Sequence, residues 1–279
     1  LASTARRGKH DWQSDTTATR ERVALLTGCV MEGLFTEVNR ATERTLRHNG
    51  YRVVEAPGQV CCGALHAHAG DAESARELAK ANIAAFEASG AERIAMNSAG
   101  CGAMCREYGH LLADDPRWAA RAAAFSARVC DSTELLAAAG PRPARGVVAD
   151  ASLAAEEGSA PLPVAWDAPC HLEHAQRVVE PPLQVLRAVA SIALQPLAGA
   201  NECCGSAGIF SLTQPAVSEV VLAGKLAQIQ ASGAAVVATA NPGCLMQIGG
   251  GLLLAGRAVE ARHPVELLDA AYADEARTR

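Results

Sequence analysis

The chain has 279 residues, of which 49% are apolar and only 4% aromatic, with ten cysteines and a formal net charge of −5. That is enough apolar material for a sizeable core, and the acidic balance, without a lysine–arginine stripe, argues against a nucleic-acid partner. No apolar run approaches the roughly 18–20 residues that cross a bilayer and no signal-peptide pattern is present, so the expected location is cytoplasmic, at most at the inner face of a membrane.

In chain order, residues 1–20 are polar and irregular. They read as a tail or linker from a missing upstream region, since the chain opens on Leu1 rather than methionine. A first domain is expected over 21–138. Arg22–Leu26 is a short β-branched and aliphatic run, read as a buried strand, and it leads to Cys29. Leu34–His48 has apolar residues at helical spacing and stops at Asn49-Gly50. Tyr51–Val54 is a second strand before Cys61-Cys62-Gly63, and Asp71–Ser89 is a helix ending at Gly90. Arg93–Met96 is a third strand before Cys101. Residues 139–162, rich in Ala, Pro and Gly, read as a linker. The second domain, 163–277, repeats the plan. Pro163–Trp166 leads to Cys170, Ile192–Leu194 to Cys203-Cys204-Gly205, helix Gln214–Ser232 ends at Gly233, and Ala235–Ala238 leads to Cys244.

The cysteine spacing carries the argument for duplication. Cys29 and Cys61 lie 32 residues apart, Cys170 and Cys203 33; Cys62 and Cys101 lie 39 apart, Cys204 and Cys244 40. Two independent spacings that agree to one residue predict an internal repeat. The predicted architecture is α/β, with two tandem domains related by a pseudo-two-fold axis, each a small parallel sheet flanked by helices. Each half reads strand, helix, strand, helix, strand. Every repeated cysteine then falls at the carboxyl end of a strand, the edge where open parallel sheets bind ligands.

Four cysteines per half, Cys29, Cys61, Cys62 and Cys101, then Cys170, Cys203, Cys204 and Cys244, are the minimum thiolate set for an iron–sulfur cubane. A lone zinc more often takes ligands two to four residues apart. Gly63 and Gly205 permit positive φ and close backbone approach to a cluster. His171 and His174 are candidates to tune a cluster by hydrogen bonding near its sulfurs, with helix-start histidines as the plainer alternative. His66 and His68 are weaker zinc candidates. Cys130 lies outside the repeat and reads as a buried apolar residue. Gly249-Gly250-Gly251 reads as a flexible turn, and no dinucleotide fingerprint follows a strand. Asp114-Asp115 and Glu156-Glu157 read as solvated pairs.

These motifs resemble those of a known family. Gly58-Gln59-Val60-Cys61-Cys62-Gly63-Ala64, Ser98-Ala99-Gly100-Cys101-Gly102-Ala103-Met104, Glu107-Tyr108-Gly109-His110, Cys203-Cys204-Gly205-Ser206-Ala207-Gly208, Ala240-Asn241-Pro242-Gly243-Cys244 and His263-Pro264-Val265-Glu266-Leu267-Leu268 are similar to the CCG, or cysteine-rich, domain. That domain occurs in glycolate oxidase iron–sulfur subunits, in heterodisulfide reductases and in lactate-utilisation iron–sulfur proteins, and the wording here looks most like the first. The resemblance implies one or two clusters per chain, of the [4Fe-4S] type, held by the eight repeated cysteines. It implies electron transfer from flavoprotein (FAD) subunits that oxidise glycolate or a similar 2-hydroxy acid toward a membrane acceptor. The chain departs from the family in two ways. The repeated Cys-x-x-Cys-x-x-Cys of an N-terminal ferredoxin-like region is absent from this sequence, and the Cys-x-x-Cys ending of the heterodisulfide reductase type is replaced by Met104 and Gln247, with Cys105 one residue out of register. A thiol/disulfide oxidoreductase and a zinc-binding structural subunit remain the alternatives.

Overall fold

A computed structural model describes Trp12, residues 17–148 and residues 160–278. Most of the predicted tail, the Glu156-Glu157 pair and the centre of the predicted linker lie outside those residues.

Each half is a four-stranded parallel sheet. In the first, β1 (Arg22–Leu25), β2 (Arg52–Val54), β3 (Arg93–Met96) and β4 (Val129–Asp131) are ordered β2-β1-β3-β4. In the second, β5 (Leu162–Trp166), β6 (Ile192–Gln195), β7 (Val236–Ala238) and β8 (Glu260–Arg262) are ordered β6-β5-β7-β8. The two orders are the same topology written twice, so the duplication read from the cysteines extends to the backbone. In register, Val23 stands opposite Val53 and Arg93, and Val164 opposite Leu194 and Val236.

Strand alternation sorts the first half's core. Val23 and Leu25 join a large cluster that also holds Val38, Leu136, Val164, Leu186 and Leu268, drawn from both halves. Ala24 and Leu26 point the other way, into a second cluster with Ile83, Phe86, Tyr108 and Phe125. The halves meet through their helices reciprocally. Thr36–His48, the first long helix of one half, packs on Pro264–Thr278, the last of the other; Ser132–Ala139, the last of the first half, packs on Glu180–Arg187. That exchange is what a pseudo-two-fold axis produces. Arg44 clasps the buried Asp269 across this seam with bonds of 2.9 and 2.8 Å.

Three features depart from the sequence reading. Each sheet has a fourth strand, β4 or β8, which three residues with polar members (Cys130-Asp131, Glu260 and Arg262) do not announce as an apolar run. Gly249-Gly250-Gly251 is no turn but the middle of the helix Pro242–Leu254. A Cβ on Gly251 would sit 3.0 Å from both Leu222 and Leu226, so the bare backbone lets the neighbouring helix Pro215–Ala231 close in. Finally, the described start of the linker is docked: the Ala144 N–H donates to the Ala188 carbonyl at 2.8 Å, and the Tyr272 hydroxyl donates to the Arg142 carbonyl at 2.7 Å.

Candidate functional site

In both halves the cysteines converge at the carboxyl edge of the sheet, each on a loop or first helical turn beyond a strand. Cys29 opens the helix Cys29–Leu34, behind Gly28 at φ +64. Cys101 is the third residue of the helix Ala99–Arg106 after β3. Cys61 and Cys62 lie in the loop after β2, and Gly63 caps the helix Ala64–His68. The second half repeats this. Cys170 precedes a π-helical turn, His171–Ala175, Cys203-Cys204 follow β6, and Cys244 is the third residue of Pro242–Leu254. Helix starts aim backbone N–H groups and a positive dipole end at the sulfurs, which suits an anionic group.

The eight thiols form two matching chains. Cys29 donates to Cys61 at 3.5 Å and Cys62 to Cys101 at 3.2 Å; Cys204 donates to Cys244 at 3.1 Å. Cys61 also contacts Cys62, while Cys170 contacts Cys203 and Cys203 contacts Cys204. The Cys29 thiol, then that of Cys62, holds Cys61 down to about 2, and the Cys170 thiol, then that of Cys204, does the same for Cys203. Contact with Cys61 and burial push Cys29 up; contact with Cys203 and burial push Cys170 up. Each site thus favours a thiolate at its middle, stabilised further by a backbone N–H, from Gly63 to Cys61 at 3.5 Å and from Gly205 to Cys203 at 3.3 Å, and in the first site contact with Cys62 lowers Cys101 as well.

The two glycines do the same work. Gly63 (φ +83) and Gly205 (φ +89) both lie in the left-handed region. A Cβ on Gly63 would meet the Ala75 backbone at 3.3 Å, and one on Gly205 the Ser218 carbonyl at 2.7 Å. The Cys-Cys-Gly loop is therefore pressed against the following helix, Ala72–Ala88 or Pro215–Ala231, and only glycine allows both the turn and the contact.

What holds the double cysteine differs between halves. In the first, buried Asn82 accepts from the Val60 N–H at 2.8 Å and donates to the Cys61 carbonyl at 3.0 Å. The Tyr108 hydroxyl donates to the Cys62 carbonyl at 2.8 Å. Gln59 ties this loop to the Cys29 loop, accepting from Thr27 N–H at 2.8 Å and donating to the Leu25 carbonyl at 3.1 Å. In the second half the place of Asn82 is taken by Lys225, 2% exposed, which pairs with buried Asp167 at 2.8 Å and donates to the Gly199 carbonyl at 2.7 Å. Asn82 and Lys225 both sit seven residues after the position that meets the Cys-Cys-Gly glycine, Ala75 or Ser218. Sequence reasoning did not single out Asn82, Lys225 or Asp167, because their partners lie in distant loops.

The two sites face each other. The Cys101 helix packs on the π-helical turn that follows Cys170, Gln176 donates to the Ala99 carbonyl at 2.9 Å, and the His68 and His171 rings stack at 5.8 Å. His171 Nδ1 is 3.8 Å from the Cys170 sulfur, and burial lowers its basicity. His174 turns away: its Nε2 meets the Asn201 carbonyl at 3.3 Å. His66 pairs with Asp71 at 3.2 Å on the surface. Cys105 is fully buried beside Tyr108, outside the thiol chain.

Four thiols from three loops, with N–H groups aimed at the middle one, are the donor set that an iron–sulfur cluster takes. The sulfur contacts of 3.1–3.5 Å are shorter than the roughly 3.8 Å edge of a zinc–thiolate tetrahedron with bonds of about 2.3 Å. The sulfurs touch through S–H···S bonds and are the ligand type that an iron–sulfur group takes. The residues present fit it.

The cysteine-rich domain model matches this chain twice, over residues 23–106 and 164–249. The chain belongs to the cysteine-rich domain family. It is 38% identical over 251 residues to a Bacillus subtilis (strain 168) protein named "Probable glycolate oxidase iron-sulfur subunit", a match covering 89% of this chain and 54% of that protein. The chain thus spans about half the length of that relative. It is 33% identical over 248 residues to lactate utilization protein A of Exiguobacterium sp. (strain ATCC BAA-1283 / AT1b), covering 88% of this chain and 96% of the relative. The Bacillus velezensis protein of the same name is 32% identical over 250 residues, covering 89% and 99%. Among the described residues, no helix of this cysteine-rich domain protein is long and apolar enough to cross a membrane.

Proposed function

We propose that this chain is an iron–sulfur electron-transfer subunit of a complex that oxidises a 2-hydroxy acid such as glycolate, with Cys29, Cys61, Cys62 and Cys101, and Cys170, Cys203, Cys204 and Cys244, as its metal ligands. The observation that carries the reading is the double convergence of four thiols at a sheet's carboxyl edge. The relatives named for glycolate oxidase and lactate utilisation support the substrate class. A bound [4Fe-4S] group supplies one-electron capacity at each site. The chain's own residues supply the rest. Gly63 and Gly205 aim their N–H groups at one sulfur of each site, Asn82 and Tyr108 fix the first loop, and the Lys225–Asp167 pair fixes the second. Gly63, Gly205 and His171 border the clusters; His174, directed at a backbone carbonyl, holds the Cys203 loop instead. The complementary partner is a flavoprotein (FAD) subunit, and the final acceptor is at the inner face of the membrane.

The test is iron and acid-labile sulfide per chain on anaerobically prepared protein, with an EPR spectrum after reduction. About eight irons with matching sulfide are expected, one four-iron cluster in each half. Cys62→Ser and Cys204→Ser should each remove about half of the iron. Protein without iron, holding zinc or ten free thiols, overturns the reading.

One observation favours a second reading. Cys203 is exposed and its thiol is held down to about 2 by Cys170 and Cys204, the profile of a reactive thiolate. Thiol–disulfide exchange then predicts colourless protein whose Cys203 is alkylated fastest. Brown protein that resists alkylation until iron is removed rejects it.

A further inference from the structure

The helices that carry Cys101 and Cys244 each open behind a polar residue. Ser98 stands before Ala99–Arg106 and Asn241 before Pro242–Leu254, both with extended backbone, and neither side chain accepts from the first turn that follows. Serine and asparagine are favoured at helix starts because they do accept there, so capping does not account for them. Each side chain turns instead to the cysteine three residues on. Ser98 bonds to the Cys101 sulfur, and Asn241 Nδ2 donates to Cys244 Sγ at 3.6 Å.

Asn241 also reaches the other half. Its Oδ1 accepts from the Gly100 N–H at 3.1 Å, and the neighbouring Ala240 carbonyl accepts from the Ala99 N–H at 3.0 Å. Two N–H groups that the helix Ala99–Arg106 leaves open at its start are thus met from the second half. The Gly100 bond decides which way the Asn241 amide faces. A backbone N–H is met only by the amide oxygen, so the nitrogen is left for Cys244. A Cβ on Gly243 would come within 3.1 Å of that nitrogen and 2.6 Å of Ser206 Oγ, so the bare backbone before Cys244 gives the amide its room. The result is an unbroken line from the Cys101 turn, through Gly100 and Asn241, to the Cys244 sulfur.

We propose that Asn241 is a positioning residue that ties the second site to the first half: held by Gly100, its amide donates to the Cys244 sulfur and raises that site's affinity for an electron. The proposal rests on the electron-transfer reading of the cysteines. An N–H bond to a ligand sulfur favours the more negative, reduced state, and such bonds are among the features that set an iron–sulfur potential. Ser98 supplies the same kind of bond at the first site from within its own half. At the second site the donor's orientation depends on the seam, because parting Gly100 from Asn241 frees the amide to turn. The potential of the second centre therefore reads the contact between the halves.

The test is a potentiometric EPR titration of the anaerobic, iron-loaded full chain, beside its urea midpoint, for wild type and three variants at position 241. The Cys62→Ser protein identifies the second site's signal. Asn241→Asp keeps an oxygen for Gly100 but offers the sulfur no N–H; Asn241→Leu, uncharged, offers neither. Both should lower the second site's affinity for an electron about tenfold, about 59 mV for a one-electron couple, with the first site's potential unchanged. Asn241→Ser, which copies the first half, keeps a donor beside the sulfur but cannot reach Gly100. It should hold a near-wild-type potential while its urea midpoint falls. Potential and stability then separate, which a purely structural role would not produce. Should one variant fail to load iron, the other two decide. A second-site potential that is the same in wild type, Asn241→Asp and Asn241→Leu, or one that follows the urea midpoint across the variants, overturns the proposal and leaves the electron-transfer reading standing. Wild type without iron overturns both.

Discussion

His263 gives the sharpest test of how the halves are joined. Its ring is fully buried, its Nδ1 accepts from the Val265 N–H at 3.2 Å, and its Nε2 therefore donates to the Asn97 carbonyl, 3.0 Å away in the other half. The Asn97 side chain in turn donates to Asn39 at 2.8 Å and to Thr42 at 3.0 Å. Burial pushes His263 down to about 4, against about 6.5 in an unfolded chain. Because the folded value is depressed, the unfolded chain binds the proton first as pH falls. The contribution of neutral His263 is whole above pH 6.5 and is lost as pH falls toward 4. The gap is worth about 3 kcal/mol, of which about 2.5 kcal/mol is gone by pH 4.5. His263→Gln keeps an N–H to offer Asn97 but cannot titrate. It should be less stable than wild type at pH 7.5 by about 1–2 kcal/mol for the altered packing, yet the difference should shrink or reverse at pH 4.5. Urea unfolding of both proteins at the two pH values reads this directly. Acid loss of a cluster, and the opposite contribution of Asp131, whose carboxyl burial raises to about 6, are common to both proteins and cancel. Parallel pH profiles for wild type and variant would refute the argument.

Gly205→Ala should destabilise by about 2 kcal/mol or more, since a positive φ of +89 and a backbone oxygen at 2.7 Å both oppose a Cβ. Gly63→Ala, with its nearest atom at 3.3 Å, should cost less, and denaturant midpoints compare the two. Lys225→Met leaves Asp167 buried without its partner and should cost about 3–5 kcal/mol; the double variant Lys225→Met/Asp167→Asn should recover most of it in thermal unfolding. Tyr108→Phe removes the hydroxyl bonded to the Cys62 carbonyl and to Asn82. It should cost about 1–2 kcal/mol and perturb the EPR signal of the first site while leaving that of the second unchanged.

The parts of the fold that were legible in the sequence are those written in local signals. Short aliphatic runs such as Arg22–Leu26 and Arg93–Met96 ended at cysteines, and helices stopped at Asn49-Gly50, Gly90 and Gly233, so two tandem α/β units followed from spacing alone. The fourth strands were illegible because pairing with β3 and β7, not apolar alternation, makes Val129–Asp131 and Glu260–Arg262 extended. The triple glycine misled because local propensity favours a turn, whereas tertiary packing of Leu222 and Leu226 favours a helix there. At the site, spacing brought out the cysteines and glycines, but the residues that hold their loops could not be read this way. Asn82 lies 21 residues from the carbonyl it binds, and Asp167 and Lys225 are 58 residues apart in the chain.

Comparing the halves separates what the thiol site requires from what each copy adds. Both keep a thiolate at the middle cysteine, a glycine pressed on a helix, and an N–H from that glycine to the sulfur, although the side chains that hold the loops differ. Those shared features are the local needs of a thiolate cluster. The support behind them is open to exchange: an uncharged Asn82–Tyr108 network in one half, a buried Lys225–Asp167 pair in the other. A buried ion pair seldom adds net stability over a neutral network of the same size, so the exchange is not explained by folding energy. Its consequence is electrostatic. The second site has an ammonium and a carboxylate held within its supporting shell, and the Lys225 charge acts on Cys203 to favour the thiolate. The first site reaches the same end through His66, which acts on Cys61 in the same sense, and both middle thiols are held down to about 2, so the exchange changes the source of the field and not the thiolate it favours.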